Sequence, residues 1–291
     1  LARKYPQHKL VGLCHGYRGV YHLAERLGLN PEKITFEIPG VNHFVWLTRL
    51  YHDGQDALPL IARWVEEQVP ACWETCGPCD PLGPKAVDLY KRFGVFPIGD
   101  TGSPGGGAWP WWYHVDAETE RRWKEDPAGW FDGYFRHTAG QVAAIARWAS
   151  DDSVRVTDRF PPAMSGESMV PLIESIACDL PRVYIVNIPN HGEYLPGVPT
   201  DFAVEVPALV SRRGIQAIRT GGLPSVLIAY ILHDRVAPVN LELEAYERGS
   251  RELLEQLILM DPWSRSLQQA RALLDDILAL PYHAQMRAHY R

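Results

Sequence analysis

Short strand-forming runs that alternate with longer amphipathic segments are the feature that most constrains how this chain can fold. Residues 34–38 and 44–51 are rich in β-branched and aromatic side chains, and the Pro39-Gly40 turn separates them. Residues 57–69 place apolar side chains at helical spacing. The pattern therefore predicts a fold in which strands and helices pack against each other.

The rest of the chain continues this pattern. Residues 183–188 form a continuous apolar run that is typical of a buried strand. In residues 202–206 the alternation predicts that Val204 and Val206 face inward and that Glu205 faces outward. A strand is also predicted at residues 9–13. Helices are predicted at 117–125, at 138–149 and between Pro84 and a Gly94 cap. From residue 224 onward the chain is predicted to be mostly helical, and the final helix is predicted to begin at Asp261-Pro262.

Length and charge narrow the class of protein. At about 150 residues per domain, 291 residues correspond to two domains or to one large domain. The 29 basic and 35 acidic residues give a net charge of −6, which disfavours nucleic acid or an anionic membrane as the partner. The longest apolar run, residues 226–232, is much shorter than the roughly 18 residues that a membrane-spanning helix needs.

The five cysteines bear on cellular location and on metal binding. An odd number does not match the paired framework of a small secreted domain, so we expect a cytoplasmic protein. Cys72, Cys76 and Cys79 have the spacing by which radical enzymes hold a four-iron cluster, but they follow an amphipathic helix and lie in a Gly-Pro turn. Unligated loop thiols are therefore favoured, and a zinc site, an adventitious disulfide or a cluster are the alternatives.

A glycine-rich segment followed by a dense aromatic cluster lies near the middle of the chain. Residues 102–107 (GSPGGG) resemble a phosphate-binding loop, but such a loop leads directly into a helix, whereas Trp109-Pro110-Trp111-Trp112 follows here. A linker would be polar, and an exposed aromatic cluster of this density would promote aggregation. We therefore expect a folded loop that lines a pocket.

Cys14, His15, His43 and Asp100 form the set with the clearest chemistry. Cys14 and His43 both lie where a predicted strand meets a turn, which is where the side chains of a site commonly converge. A thiolate, imidazoles and a carboxylate suit a divalent transition metal with open coordination positions. A single histidine is more often structural than a ligand, but the set as a whole predicts a metal site.

The sequence around these residues resembles a known enzyme family. The motifs are VGLCHG at residues 11–16, GVNH at 40–43, PIGDT at 97–101, VNIPN at 186–190, VEVPALV at 204–210 and LALP at 278–281. Together they resemble the NAD- and manganese-dependent glycosidases of glycoside hydrolase family four over nearly the whole chain. The resemblance implies an α+β fold similar to the second domain of lactate and malate dehydrogenases, with helices packed on a mixed antiparallel sheet.

The resemblance also implies a mechanism that differs from the two-carboxylate mechanism of most glycosidases. NAD⁺ takes a hydride from C3 of the sugar, and the resulting ketone makes the C2 proton acidic. A base removes that proton, Mn²⁺ stabilises the negative charge, and the C1 leaving group departs with a proton from an acid. Water then adds, and NADH returns the hydride.

Roles follow position by position from the resemblance. Cys14 and His43 match the metal ligands. Asp100 matches the base at C2, and His15 matches the acid that protonates the leaving group. Asn42 and His114 are candidate substrate contacts, and a structural hydrogen bond is an equal alternative for each.

The motifs most resemble the branch of the family that acts on unphosphorylated α-glucosides or α-glucuronides. The loop at residues 104–107 looks longer than in those enzymes, so the identity of the sugar is left undecided. The aromatic side chains of residues 109–113 either stack on the face of the sugar or pack in the core. Residues 1–291 correspond to one catalytic and dimerisation domain, so we expect a homodimer or a higher homo-oligomer. Because family members begin with an NAD-binding Rossmann domain, the resemblance implies that this domain is absent here and that the chain alone is inactive.

Two other functions are compatible with parts of the sequence. A fragment of an NAD-dependent dehydrogenase would share the fold but would not need a metal-binding Cys-His pair. A non-catalytic sugar-binding module would depend on the tryptophans alone and would bind without a metal.

Overall fold

The strands of the chain form two antiparallel sheets in the structure, a computed structural model that describes residues 10–67, 73–107, 109–163 and 167–291. One sheet has six strands and the other has three. The strands are β1 (Ile34–Glu37), β2 (Gly40–Val41), β3 (Phe44–Leu47), β4 (Arg49–His52), β5 (Gln55–Asp56), β6 (Phe96–Ile98), β7 (Arg182–Pro189), β8 (Ala203–Ser211) and β9 (Gly214–Ala217).

The larger sheet carries the residues of interest at its centre. Its strand order is β6-β3-β2-β8-β7, and β9 also pairs with β8. The short hairpin of β2 and β3 meets β8 at the pair Gly40 and Glu205. On its other side β8 pairs with β7, where Glu205 lies opposite Asn187. The smaller sheet has the order β1-β4-β5.

Helices surround both sheets. The α-helices are Gly19–Arg26, Leu58–Glu67, Pro84–Phe93, Ala117–Trp123, Pro127–Ala149, Val156–Arg159, Met169–Ala177, Ser225–Ile231, Ala237–Arg248, Arg251–Leu259, Leu267–Ala279 and Ala284–His289. A π-helical turn, Leu232–Val236, joins two of them. Within the described part of the chain, no helix has the length and apolar character needed to cross a membrane.

Strand β3 of the larger sheet is buried on both faces. Val45 and Leu47 of β3 pack into one apolar cluster with the helices Gly19–Arg26 and Leu58–Glu67. Phe44 and Trp46 of the same strand pack into a second cluster on the opposite face. A strand that is covered on both faces reads as a continuous apolar run, which is what the FVWL sequence of β3 shows.

Two predicted strands differ from the observed ones. Residues 44–51 are not one strand, because Thr48 donates a backbone hydrogen bond to Glu37 at 2.9 Å and the chain passes from one sheet to the other there. Residues 10–13 form only a single bridge, between Gly12 and Asn187, and Lys9 lies outside the described residues. The predicted alternation of side chains between the two faces therefore holds within β3 and within β4, but it does not continue through Thr48, where the chain changes sheets.

Two helix boundaries were also predicted wrongly. The helix predicted at residues 138–149 is the second half of Pro127–Ala149, which Asp126 caps by accepting a hydrogen bond from Gly129 N at 2.9 Å. The N-cap of the last long helix is Ser266 rather than Asp261, whose carboxylate instead accepts from Trp263 N in the preceding turn. By contrast, the helix Pro84–Phe93 with its Gly94 cap is confirmed.

Candidate active site

His43 occupies the turn of the β2–β3 hairpin in an unusual backbone conformation. Its φ angle is 58°, in the left-handed region that non-glycine residues seldom adopt. Such a conformation costs on the order of 1–3 kcal/mol and is concentrated at functional sites. The turn holds the imidazole next to the segment that follows β6.

A close approach of two glycines assembles the rest of the site. Gly99 has a φ of 57°, and a Cβ added to it would lie 2.6 Å from the carbonyl oxygen of Gly16. Only glycine fits this contact, because any side chain would overlap the opposite backbone. The turn that contains Cys14 and His15 is thereby packed directly against the turn that contains Asp100.

The side chains of His43 and Asp100 form an ion pair. His43 Nδ1 lies 3.0 Å from Asp100 Oδ2, and the second carboxylate oxygen, Oδ1, accepts a hydrogen bond from Ser103 Oγ at 2.8 Å. The hydrogen bond to His43 holds the pKa of Asp100 below its usual range. The same contact raises the pKa of His43 despite partial burial. Asp100 is therefore a carboxylate at neutral pH, and the backbone of Gly105 also interacts with the imidazole of His43.

Cys14 is a half-buried thiol in an electronegative environment. Burial raises its pKa most, and the nearby carboxylates of Glu205 and Asp100 raise it further. Gly16 N donates a hydrogen bond to Cys14 Sγ at 3.5 Å, which acts in the opposite direction. A positive charge beside Cys14 would favour the thiolate, and a divalent metal supplies such a charge.

His15 points toward a different carboxylate. Its Nε2 atom forms a short ion pair with Glu167 Oε2, and the two side chains are 41% and 53% exposed. A second contact binds the same two segments, since Tyr17 Oη and Ser168 Oγ are 2.7 Å apart. The acid predicted from the sequence therefore lies beside Cys14 at the open side of the site.

Glu205 is the one charged residue of the site that the sequence analysis placed wrongly. Predicted to face solvent, it is fully buried, and its carboxylate lies near Cys14 and His43. Burial raises its pKa to about 7. Its Oε2 accepts from Asn187 Nδ2 at 3.4 Å, while Oε1 has no hydrogen-bond partner among the described residues.

The residues present fit a divalent transition metal. Cys14 and His43 offer a soft sulfur and an imidazole nitrogen, a donor set that suits such ions. Asp100 bonded to the other ring nitrogen is the usual arrangement behind a metal-binding histidine. The buried carboxylate of Glu205, with one unsatisfied oxygen, would also be stabilised by a bound cation. Within the part of the chain that the structure describes, no group of three such side chains is close enough to form a site alone.

The two candidate substrate contacts differ in position. Asn42 is exposed in the hairpin turn, next to His43. His114 is buried, with its Nδ1 atom 3.7 Å from Glu125 Oε2, and Glu125 also pairs with the buried Lys85. Direct contact of either residue with a substrate stays a prediction, and for His114 the structure supplies a buried carboxylate as its neighbour.

The other motifs are mainly structural. Cys76 and Cys79 form no disulfide among the described residues, and Cys79 Sγ accepts a hydrogen bond from Asp126 N at 3.2 Å. Cys72 lies outside the described residues. In the aromatic segment Trp109 and Tyr113 are core residues, whereas Trp111 is 47% exposed. Trp109 and Trp111 do line a cavity, as the sequence predicted.

Comparison with known proteins places this arrangement in a family. Residues 38–264 match the model of the family 4 glycosyl hydrolase C-terminal domain. An α-galacturonidase from Thermoanaerobacter italicus is 22% identical over 286 residues, which cover 94% of this chain and 61% of that protein. A 6-phospho-α-glucosidase from Leptotrichia buccalis is 26% identical over 293 residues, with the same coverage of 94% and 61%. The chain therefore spans about three fifths of the length of these relatives.

The fold is found in a solved structure as well. The crystal structure of a 6-phospho-α-glucosidase from gut microorganisms, in complex with NAD and Mn²⁺, aligns with a TM-score of 0.69. The alignment has 18% sequence identity and covers 97% of this chain and 63% of that one. At this identity the likeness establishes the α+β fold of the chain.

Proposed function

Because this chain belongs to family 4 of the glycosyl hydrolases, we propose that its protein hydrolyses α-glycosides at the site formed by Cys14, His15, His43 and Asp100. The observation that carries the proposal is the 3.0 Å pair of His43 and Asp100, packed through Gly99 and Gly16 against Cys14. A thiol, an imidazole and a carboxylate are thus carried on neighbouring turns, and the charge of Asp100 reaches Cys14. This is the set that metal-assisted removal of a carbon-bound proton requires.

Cys14 and His43 are the residues that would hold Mn²⁺. When bound, Mn²⁺ stabilises negative charge on the sugar oxygens beside C2, and NAD⁺ accepts and returns the hydride of C3. The related 6-phospho-α-glucosidase structure contains NAD and Mn²⁺. We assign no NAD-binding residue within the described part of the chain.

The side chains of this chain perform the proton transfers. The Asp100 carboxylate accepts the proton from C2, for which its lowered pKa keeps it ionised. His15 donates a proton to the oxygen that leaves C1, and the electron pair of the C2–H bond becomes the C1–C2 double bond. In the second half, the deprotonated His15 takes a proton from the water that adds to C1, and Asp100 returns a proton to C2.

We propose an unphosphorylated α-glucoside or α-glucuronide as the substrate. The name of the T. italicus relative, an α-galacturonidase, supports an α-linked uronide. The L. buccalis relative is named for a phosphorylated substrate, so the two classes have to be compared directly. Asn42, exposed beside His43, is the substrate contact that the geometry favours.

The test uses the full-length protein with NAD⁺, Mn²⁺ and a reducing agent. Release of sugar from α-glucosides and α-glucuronides should exceed release from their 6-phosphates and should stop in EDTA. NADH should not accumulate, because each cycle restores NAD⁺, whereas a dehydrogenase would form NADH with each turnover. Full activity in EDTA without NAD⁺ would reject the proposal.

A homodimer or higher homo-oligomer is part of the proposal. The helix Pro127–Ala149 has 23 residues, none of them buried, and Tyr134, Phe135, Val142 and Ile145 are each more than half exposed. A continuous apolar face of this kind is typical of an association surface. Light scattering should show an oligomer that the double substitution Phe135→Lys, Ile145→Lys dissociates.

We also propose a cytoplasmic location, which would keep the Cys14 thiol reduced.

A further inference from the structure

Arg235 connects the helical part of the chain to the glycine-rich loop that follows Asp100. It lies in the π-helical turn Leu232–Val236, and turns of this rare type are often found at functional sites. Its Nη2 atom donates a hydrogen bond to Gly106 O at 2.5 Å, across 129 residues of sequence. The chemistry described above does not use this contact.

The guanidinium of Arg235 is held in one place by three contacts. Burial lowers its pKa, and a buried guanidinium needs hydrogen-bond acceptors. Backbone carbonyls supply them, because Nη1 also donates to Asp234 O at 3.2 Å. The guanidinium lies 5.6 Å from the centre of the Phe44 ring, which is within the range of a cation–π contact, and Phe44 directly follows His43. Arg235 therefore contacts both the glycine-rich loop and the β2–β3 hairpin.

The loop of residues 103–107 packs against both members of the ion pair. Ser103 Oγ donates a hydrogen bond to Asp100 Oδ1 at 2.8 Å. A Cβ added to Gly106 would lie 2.3 Å from the carbonyl oxygen of Asp100 and 3.4 Å from that of His43. The position of this loop therefore decides how the Asp100 carboxylate and the His43 turn are held.

The loop has few constraints of its own. Residues 105–107 are three consecutive glycines, whose backbone has more conformations available than that of any other residue. The backbone hydrogen bonds within this segment all join residues three positions apart, namely Ser103 N to Asp100 O, Gly106 N to Ser103 O and Gly107 N to Pro104 O, at 3.1, 3.0 and 3.1 Å. Such bonds bend the chain locally but do not tie it to another element. The hydrogen bond from Arg235 supplies that tie.

We propose that Arg235 is a positioning residue that acts through Gly106, holding the loop 103–107 against Asp100 and His43 and so fixing the direction of the Asp100 carboxylate. The anchoring of the loop follows from these contacts, and its consequence for catalysis rests on the proposed function. Because Asp100 has to meet the C2 proton in one geometry, a mobile loop should slow proton removal more than it weakens substrate binding. Arg235 itself transfers no proton.

The first experiment measures the mobility of the loop in the full-length protein without substrate or cofactor. Arg235→Met removes the donors, and Arg235→Lys keeps the charge without the planar fork of donors. Hydrogen exchange followed by mass spectrometry should show uptake in residues 101–107 that is about tenfold faster in Arg235→Met than in the wild type. Arg219→Met, which removes an exposed guanidinium near Glu193, is the control and should exchange as the wild type does.

Exchange in the rest of the chain separates anchoring of the loop from general folding. Strands β7 and β8 should keep the exchange of the wild type in both Arg235 variants, and Arg235→Lys should show a smaller increase that is confined to the loop. Wild-type exchange of the loop in both variants would overturn the proposal. An equal rise in the loop and in β7 and β8 in both variants would also overturn it, since Arg235 would then support the whole fold.

The second experiment tests the consequence for catalysis in the full-length protein. Arg235→Ala should lower kcat for α-glycosides at least about tenfold and change KM less than about twofold. Millimolar guanidinium ions should restore part of kcat, and ammonium ions at the same concentration should restore less. Guanidinium weakens folding in general, so a variant that is merely unstable would lose activity on this addition instead of gaining it.

The outcomes distinguish this inference from the proposed function. If the wild-type protein cleaves α-glycosides and Arg235→Ala keeps the wild-type kcat, the positioning role fails and the glycosidase function stands. If the wild-type protein cleaves no α-glycoside, the glycosidase function fails, and faster exchange of the loop in Arg235→Met still supports the anchoring of Asp100 and His43 by Arg235.

Discussion

His43 Nδ1 lies 3.0 Å from Asp100 Oδ2, and this contact joins the turn of the β2–β3 hairpin to the segment after β6. It orients the imidazole of His43, because Nδ1 faces the carboxylate. The same contact keeps Asp100 ionised. One ion pair thus prepares a metal ligand and a base, and the predictions below follow from it and from its neighbours.

Removal of the Asp100 charge should lower the pKa of His43. The carboxylate favours the imidazolium, so in Asp100→Asn the pKa of His43 should fall toward its ordinary value of 6.5. Histidine NMR titration of the metal-free protein measures the change. Asp53→Asn, which removes an exposed carboxylate that pairs with Lys33, is the control. A pKa of His43 that is equal in wild type and Asp100→Asn would contradict the pairing.

Glu205 should make the metal-free protein less stable at alkaline pH. Its folded pKa of about 7 exceeds the unfolded value of 4.5, so between these values the folded state holds one proton more and stability falls as pH rises. At about 1.4 kcal/mol per pKa unit, the free energy of unfolding is roughly 3 kcal/mol lower above pH 7 than below the unfolded pKa. Glu205→Gln should abolish that loss, as urea unfolding at pH 5 and pH 8 in EDTA would show.

The exposed Glu193 provides the comparison for that experiment, since its side chain is 68% exposed. Glu193→Gln should leave the pH dependence of the wild type unchanged. A Glu205→Gln protein that loses as much stability as the wild type between pH 5 and pH 8 would show that the carboxylate is not held in an apolar environment.

Gly99→Ala should disrupt the site, and Gly94→Ala should not. Both glycines have positive φ angles, 57° and 72°, but a Cβ at Gly94 meets nothing within 4 Å, whereas one at Gly99 lies 2.6 Å from Gly16 O. Backbone strain alone predicts a cost of about 1 kcal/mol for Gly94→Ala. Strain and overlap together predict about 3 kcal/mol for Gly99→Ala. Equal loss in thermal unfolding would mean that the two turns do not pack through Gly99.

Cys14→Ser should weaken Mn²⁺ binding. A serine hydroxyl is neutral and replaces a thiolate, so affinity should fall at least about tenfold. The electron paramagnetic resonance signal of free Mn²⁺, recorded with the full-length protein, reports the bound fraction. Cys178→Ser removes an exposed cysteine and is the matched control. Unchanged binding in Cys14→Ser would remove this residue from the metal site.

The identities of the site residues could be predicted because each belongs to a short sequence motif. Cys14, His43 and Asp100 each lie in a short turn, and in the structure Asp100 forms an ion pair with His43. No spacing in the sequence indicates that Gly16 and Gly99 touch, because that contact depends on how the strands are ordered. The identities of these residues could therefore be predicted from the sequence, and the contacts between them could not.

Glu205 shows why alternation in a strand can mislead. The pattern Val204-Glu205-Val206 indicates an outward carboxylate only when one face of the sheet meets solvent. Here Cys14 and His43 lie near Glu205, and residues 204–208 of β8 are buried on both sides. A buried carboxylate in a sheet covered on both faces cannot be distinguished from a solvent-facing one by periodicity alone.

The central claim is that Asp100 removes the proton from C2 of the sugar. The measurement is deuterium at C2 of the product after turnover of the full-length protein in deuterated water with NAD⁺ and Mn²⁺. The wild type should incorporate deuterium at C2, and Asp100→Ala should lower turnover and exchange by about 10²–10⁴-fold. A wild-type product without deuterium at C2, or exchange that persists undiminished in Asp100→Ala, would contradict the claim.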